Sequence, residues 1–167
     1  MRPSRITLAA AAALLLLLTV VTATLGTPAS GVISAPILAR GDFSDHVDVK
    51  IKFDTAYGTV VSNAPDAGEV IVQEITIAPG GTTGWHSHPG PVVVVVKAGA
   101  LTYVREDHGG CFETVYPTGT AFVDPGQGHV HTAFNGGTEN LVLYATYFDV
   151  ATGSSPRIDE PVAAPAC

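Results

Sequence analysis

The chain has 167 residues, of which 14% are charged and 46% hydrophobic, and its formal net charge is −7. With 15 acidic residues against 8 basic ones and no basic stripe to neutralise phosphates, nucleic acid is excluded as a partner. The 18 glycines and 12 prolines supply turn formers throughout, which argues against long helices and favours an all-β protein.

The N-terminus has Arg2 and Arg5 followed by an apolar run from Ile6 to Leu25 that is dense in Ala and Leu. This pattern is typical of a secretory signal peptide, which we place at residues 1–29. An apolar stretch of this length can also span a bilayer, so an uncleaved anchor is the alternative. We therefore expect a secreted or cell-surface protein that meets a membrane only through this segment.

The rest of the chain divides by composition into three parts. Residues 30–41 are rich in Ala, Ser, Gly and Pro, which predicts a linker. Residues 42–150 are long enough for a single domain with one core, and residues 151–167 predict an irregular tail.

The domain contains short β-rich runs, each closed by Gly- or Pro-containing turns. This spacing predicts a β-sandwich or barrel. The predicted strands are His46–Phe53, Glu69–Ile77, Val92–Lys97, Leu101–Arg105, Cys111–Tyr116, Ala121–Val123, Val130–Phe134 and Leu141–Phe148.

Cys111 and Cys167 are the two cysteines of the chain. Because disulfides persist in the oxidising compartments that a signal peptide leads to, we favour an intramolecular pair between them. Two free thiols are the alternative, since a cysteine at the end of a chain is often mobile.

Four of the six histidines lie in two His-x-His pairs at the starts of predicted strands. His86 and His88 are two residues apart, so the alternation of a strand directs both imidazoles to one face. His129 and His131 repeat this spacing after a Gly-rich turn. Two such pairs on an all-β scaffold predict a metal site.

Both pairs lie within motifs that resemble those of the cupin superfamily. The first cupin motif places a glycine before His-x-His, then a glutamate, then a second glycine. Gly80, His86, His88 and Gly99 fall in register with it, and Val92 stands at the glutamate position.

The second cupin motif is a glycine, a Pro-x-Gly turn, a histidine and an asparagine. This chain matches it with one extra residue in the turn. The matching residues are Gly119, Pro125, Gly128, His131 and Asn135.

The resemblance implies an all-β, single-domain, cupin-type antiparallel β-barrel of jelly-roll character. It also implies that His86, His88 and His131 hold one divalent transition-metal ion, with Fe, Mn, Ni, Zn and Cu not distinguished. A three-His set without the glutamate leaves the charge of the ion uncompensated, so bound water or an anionic substrate is expected at its open positions.

A metal-dependent enzyme acting on a small molecule, most plausibly an oxygenase, is the leading functional hypothesis. A non-catalytic module that binds a small molecule or a metal is the alternative. The oligomeric state is left open between a monomer and a homodimer.

The pattern assigns provisional roles to further residues near the metal. His129 is predicted to share a strand face with His131 as a catalytic, proton-moving residue, with a fourth ligand or a rim residue as alternatives. Gln73 is expected to point inward, and Tyr103 to line the pocket. Three acidic residues are expected at turns or on the surface: Glu69, Asp107 and Asp124.

Overall fold

The computed structural model describes residues 28–55, 58–107 and 110–160, and every regular element within them is a β-strand. No helix in these ranges is long and apolar enough to cross a membrane. The predicted signal peptide falls almost wholly on residues 1–27, outside the described residues. The strands are β1 (Ser30–Ser34), β2 (Ile37–Asp42), β3 (Val49–Thr55), β4 (Gly58–Ala64), β5 (Glu69–Thr82), β6 (His86–Ser87), β7 (Val92–Ala98), β8 (Ala100–Asp107), β9 (Gly110–Pro117), β10 (Ala121–Asp124), β11 (His131–Phe134), β12 (Leu141–Val150) and β13 (Ile158–Asp159).

One antiparallel sheet of eleven strands curls into a nearly closed barrel. β12 is at its centre, paired with β5 on one side and β7 on the other, and β10 continues the sheet beyond β7. At the other end β11 pairs with β8, β6 and the last residue of β5. The predicted all-β barrel is confirmed, and each of the eight predicted strands has a counterpart.

The core follows from the two-residue alternation of the strands. In β7 the side chains of Val92, Val94 and Val96 are buried, whereas Val95 between them is 40% exposed. β-branched residues suit such a strand, and each buried valine contributes about 1.5–3 kcal/mol of apolar burial. This alternation fixes which β7 side chains reach the interior of the barrel.

A tight glycine contact brings the loops of the two His-x-His pairs together. Gly126 has a φ of +61°, and a Cβ at that position would lie 1.8 Å from the carbonyl oxygen of Gly90. The N–H of Gly128 also donates to the carbonyl of His88 at 3.3 Å. Only glycine fits where these backbones meet, so Gly126 is required for the approach of the two loops.

The linker predicted at residues 30–41 instead forms strands β1 and β2, which both pair with β5. Their side chains are largely exposed, so the strands are held by backbone pairing that a hydrophobic pattern does not reveal. Arg40 adds an ion pair with Glu69, whose side chain is buried. The surface position predicted for Glu69 is therefore wrong, because the guanidinium compensates the buried carboxylate.

Candidate metal centre

His86, His88 and His131 come together inside the barrel. His86 begins β6, His131 begins β11, and the two residues are direct partners in the antiparallel pairing of these strands. Their ring centroids are 4.2 Å apart, and the ring of His88 lies 4.9 and 5.0 Å from the other two. All three side chains are buried. The structure thus assembles the three histidines that the sequence predicted as ligands.

Each imidazole is held by an acceptor at its Nδ1 atom. Nδ1 of His86 donates to the carbonyl of Gly84 at 2.8 Å, and Nδ1 of His88 donates to the carbonyl of Pro156 at 2.7 Å. Nδ1 of His131 donates to the carbonyl of His129 at 3.3 Å and also lies 3.1 Å from Oδ2 of Asp124. Since carbonyl and carboxylate oxygens only accept, Nδ1 carries a proton in each ring, which leaves Nε2 as the atom that can bind a metal.

Burial keeps the imidazoles in the form that binds a metal. It lowers the pKa of His86 well below its usual value, and the neighbouring histidines lower it further. The same cause, burial first, lowers the pKa of His88 to about 4. Both rings are therefore neutral near pH 7, as metal coordination requires.

The donor set fits one transition-metal ion. One nitrogen from each of the three histidines lies within 4.8 Å of the corresponding nitrogens of the other two. An ion with metal–nitrogen bonds of about 2.1 Å would draw them slightly closer. Imidazole ligands suit Zn, Cu, Fe and Ni, and three of them leave coordination positions open.

Asp124 and Tyr103 form a polar wall behind His131. Asp124 is 1% exposed, and its Oδ2 accepts the hydroxyl of Tyr103 at 2.5 Å and lies 3.1 Å from Nδ1 of His131. Its Oδ1 accepts the N–H of Gly126 at 2.7 Å. The surface position predicted for Asp124 is wrong, because two hydrogen-bond donors and the adjacent imidazole of His131 compensate this buried carboxylate.

The three histidines line an inner cavity of about 50 Å³. Val92, at the glutamate position of the first cupin motif, also lines it and is 1% exposed. Tyr103 lines the same cavity, as predicted. The remaining wall is largely apolar: Ile75, Val94, Leu101, Phe122, Ala133, Leu143 and Ala145. The cavity has room for an ion with a few water-sized groups in surroundings that exclude bulk water.

Gln73 is hydrogen-bonded to Tyr147 rather than to one of the three histidines. Its Oε1 accepts the hydroxyl of Tyr147 at 3.0 Å, and its Nε2 donates to the carbonyl of Ala35 at 2.7 Å. Tyr147 is buried, with its ring 5.1 Å from that of His88, and burial raises the pKa of its hydroxyl. Tyr147 therefore keeps its proton and presents a neutral hydroxyl beside the site.

His129 does not join the other histidines. It precedes β11, so strand alternation does not apply to it, and its side chain is exposed. It borders a separate small cavity with Tyr103, Arg105 and Glu106. The predicted shared face with His131 is wrong, and a catalytic role for His129 stays a prediction.

The C-terminal segment supplies contacts to the site that the sequence did not indicate. Besides the Pro156 carbonyl on His88, Oε1 of Glu160 accepts the hydroxyl of Ser87 at 2.6 Å. Strand β13 pairs with β6 through Ile158 and Asp159, so the predicted irregular tail is ordered as far as residue 160. A carbonyl acceptor leaves no trace in side-chain identity, which is why Pro156 was missed. The inward position of Asp124 could have been predicted, because it follows Phe122 by two residues in β10 and so lies on the same face of the strand.

Cys111 is disulfide-bonded. Cys167 lies outside the described residues, so the pairing between these two cysteines stays a prediction.

Comparison with known proteins identifies several similar chains. The (R)-mandelonitrile lyase of Granulicella tundricola is 37% identical over 70 residues, which are 42% of this chain and 52% of that protein. The chain thus spans about half the length of this curated relative.

Two solved structures are similar at lower sequence identity. A Klebsiella pneumoniae protein with a double-stranded β-helix domain gives a TM-score of 0.45 at 22% identity, covering 56% of this chain and 71% of that one. A variant of Bacillus subtilis oxalate decarboxylase gives a TM-score of 0.46 at 20% identity, covering 54% and 23%.

The family match covers the region that carries the site. The cupin domain family matches residues 73–147, which include all three clustered histidines. Both motifs predicted from the sequence lie largely within this span. The resemblance to the cupin superfamily predicted from the two motifs is therefore confirmed over these residues.

Proposed function

We propose that this chain is a metal-dependent enzyme in which His86, His88 and His131 hold one divalent transition-metal ion. The observation that carries the proposal is the set of acceptors on the three Nδ1 atoms, which leaves three Nε2 lone pairs for an ion. Histidines that ligate metals almost always have such a partner on the other ring nitrogen.

The protein supplies orientation and a dry cavity around the metal. A bound divalent ion would act as a Lewis acid that polarises an oxygen atom of a small substrate. Asp124 fixes the ring of His131 and is itself fixed by Tyr103. The apolar wall that includes Val92 keeps bulk water from competing for the open positions.

The reaction that we propose first is cleavage of a carbon–carbon bond beside a hydroxyl-bearing carbon. The Granulicella relative, named a mandelonitrile lyase, supports this reaction class. In the cleavage of a hydroxynitrile, the hydroxyl loses its proton, the bond to the nitrile carbon breaks, and its electron pair leaves with cyanide. The products are a carbonyl compound and, once cyanide takes up a proton, hydrogen cyanide.

Oxygenation of a small molecule is the second candidate. His86, His88 and His131 would hold an iron ion, and the apolar residue Val92 at the glutamate position adds no fourth ligand, so coordination positions would stay open for this chemistry. This hypothesis requires oxygen consumption, which the cleavage reaction does not. A non-catalytic binding module would show neither activity.

The test begins with metal. Protein purified from its own host is first analysed for metal. It is then loaded with Fe(II), Mn(II) or Zn(II) and assayed in two ways. One assay measures aldehyde release from mandelonitrile, and the other measures oxygen uptake with small aromatic acids. His88→Ala is the inactive comparison, and His46→Ala is the matched control because His46 is exposed, pairs with Asp48 and Asp66, and lines neither cavity that contains the three histidines. We expect turnover in wild type and His46→Ala only. Bound metal with no turnover in either assay would favour the binding module, and absence of metal binding would overturn the proposal.

Export through residues 1–29 is also part of the proposal, as is action on a small molecule rather than on nucleic acid. The apolar run after Arg2 and Arg5 supports export. Cell fractionation followed by N-terminal sequencing tests it. Mature protein outside the cytoplasm that begins near residue 30 is expected, whereas an intact N-terminus in the membrane fraction would favour the anchor.

A further inference from the structure

A second, larger cavity opens directly from the metal centre. Its volume is about 270 Å³, and it shares five lining residues with the inner cavity, among them His86, His88 and Tyr147. Its outer walls are the N-terminal strand, through Val32, and the C-terminal segment, through Arg157. This volume suits the body of a small organic molecule whose reacting atom enters the inner cavity.

Arg157 gives this outer cavity its charge. Arg157 is the single charged side chain among the described residues that line the cavity. Its Nε–H donates to Oδ1 of Asp159 at 2.6 Å, and Asp159 is 79% exposed. Within the described chain, no acceptor takes a hydrogen bond from the terminal amino groups of Arg157. Because an ion pair with an exposed carboxylate is weak, the guanidinium stays available to an anion.

The positive charge of Arg157 reaches the metal centre. Arg157 lines the same cavity as His86, His88 and Tyr147, so its charge lies beside the residues that would hold the ion. A divalent ion on the three imidazoles would add two further positive charges, which the single carboxylate of Asp124 beside His131 offsets only in part. The combined field favours a negatively charged ligand.

We propose that the substrate of this site is a small organic acid whose carboxylate binds Arg157 in the outer cavity while its reacting oxygen lies in the inner cavity. The inference rests on the proposed metal-dependent function, and as a substrate class it favours the oxygenation candidate over cleavage of a neutral hydroxynitrile. A guanidinium presents parallel N–H groups that match the two oxygens of a carboxylate, which a neutral nitrile or amide cannot exploit as well. Arg157 is thus a specificity-determining residue outside both cupin motifs.

The experiment measures binding of benzoate and of its neutral analogue benzamide by calorimetry, with metal-free and with Zn(II)-loaded protein. The variant is Arg157→Met, which keeps an apolar stem but loses the charge. Arg105→Met is the matched control, because Arg105 borders other cavities and not this one. We expect benzoate to bind wild type and Arg105→Met equally, and Arg157→Met at least tenfold more weakly. Benzamide affinity should be the same in all three proteins.

A second variant covers the case in which Arg157→Met fails to fold, as judged by its thermal melt. Asp159→Asn releases the guanidinium from its partner and should bind benzoate two- to fivefold more tightly than wild type. Equal benzoate affinity in wild type and Arg157→Met would overturn the inference, as would unchanged or weaker binding to Asp159→Asn.

The metal-free arm separates this inference from the proposed function. Loss of benzoate affinity in metal-free Arg157→Met supports the inference even if the protein binds no metal. Binding of benzoate only to Zn(II)-loaded protein, and independently of Arg157, would overturn the inference while supporting the metal site.

Discussion

The buried carboxylate of Asp124 lies 3.1 Å from Nδ1 of His131, and its same oxygen accepts the hydroxyl of Tyr103. This arrangement fixes both the tautomer and the ring orientation of the histidine that the second cupin motif supplies. Asp124 would therefore orient the ligand His131 without itself contacting the metal.

Replacing Asp124 by Asn should weaken metal binding by about 10–100-fold, because an amide is a poorer acceptor and lowers the basicity of the ring. Competition with a chelator of known affinity measures the change. Asp45→Asn is the control, since Asp45 is exposed and remote. Equal metal affinity in Asp124→Asn and wild type would show that the carboxylate does not tune the site.

Replacing Val92 by Glu should tighten metal binding at least tenfold and favour harder ions such as Mn(II). Val92 lines the inner cavity, so a carboxylate there would add a fourth ligand and offset the charge of the ion. Without metal the melting temperature should fall, because the buried charge has no partner. Val95→Glu, which places the same charge on the exposed face of β7, should change neither quantity. Weaker binding of every metal by folded Val92→Glu would contradict the assigned geometry.

Much of the site could be predicted because strand alternation is a local property. His86 and His88 are two residues apart, and the valines of β7 alternate between core and surface, so both patterns can be read directly. The same spacing failed for His129, which lies in the exposed turn before β11, whereas His88 directly follows the two-residue strand β6 and is held inward through the carbonyl of Pro156. The boundary of a short strand depends on pairing partners that are distant in sequence.

Contacts made through the backbone could not be predicted. The carbonyl of Pro156 orients His88, and strands β1 and β2 pair with β5 while exposing their side chains. Neither contact requires a particular side chain, so the residues involved look like a linker and a tail. The ion pair between Arg40 and Glu69 joins residues that are far apart in the chain, which is why the burial of Glu69 was missed.

His129→Gln tests the catalytic role predicted for that residue. A general acid or base that moves a proton would cost about 10²-fold in turnover when lost. Because His129 is exposed and outside the inner cavity, we expect full metal content and a loss of turnover below about tenfold. A loss of 10²-fold with metal retained would restore the proton-transfer role, and a loss of metal would make His129 a ligand.

Cys111 and Cys167 are predicted to form one intramolecular disulfide. Thiol labelling of the native protein should detect no free cysteine before reduction and two afterwards. On the chain-entropy model a loop of this length contributes ~4 kcal/mol, so Cys111→Ser should lower the melting temperature. Two free thiols in native protein would rule out the pair, and a covalent dimer under non-reducing conditions would show that the bond joins two chains.

We expect His86, His88 and His131 to hold one metal ion. The metal content of the purified double variant His86→Ala/His88→Ala measures this directly. Wild type and the control His46→Ala should contain close to one divalent transition ion per chain. The double variant should contain almost none, because a single remaining imidazole cannot bind tightly. Undiminished metal in the folded double variant would contradict the account and place the ion elsewhere in the protein.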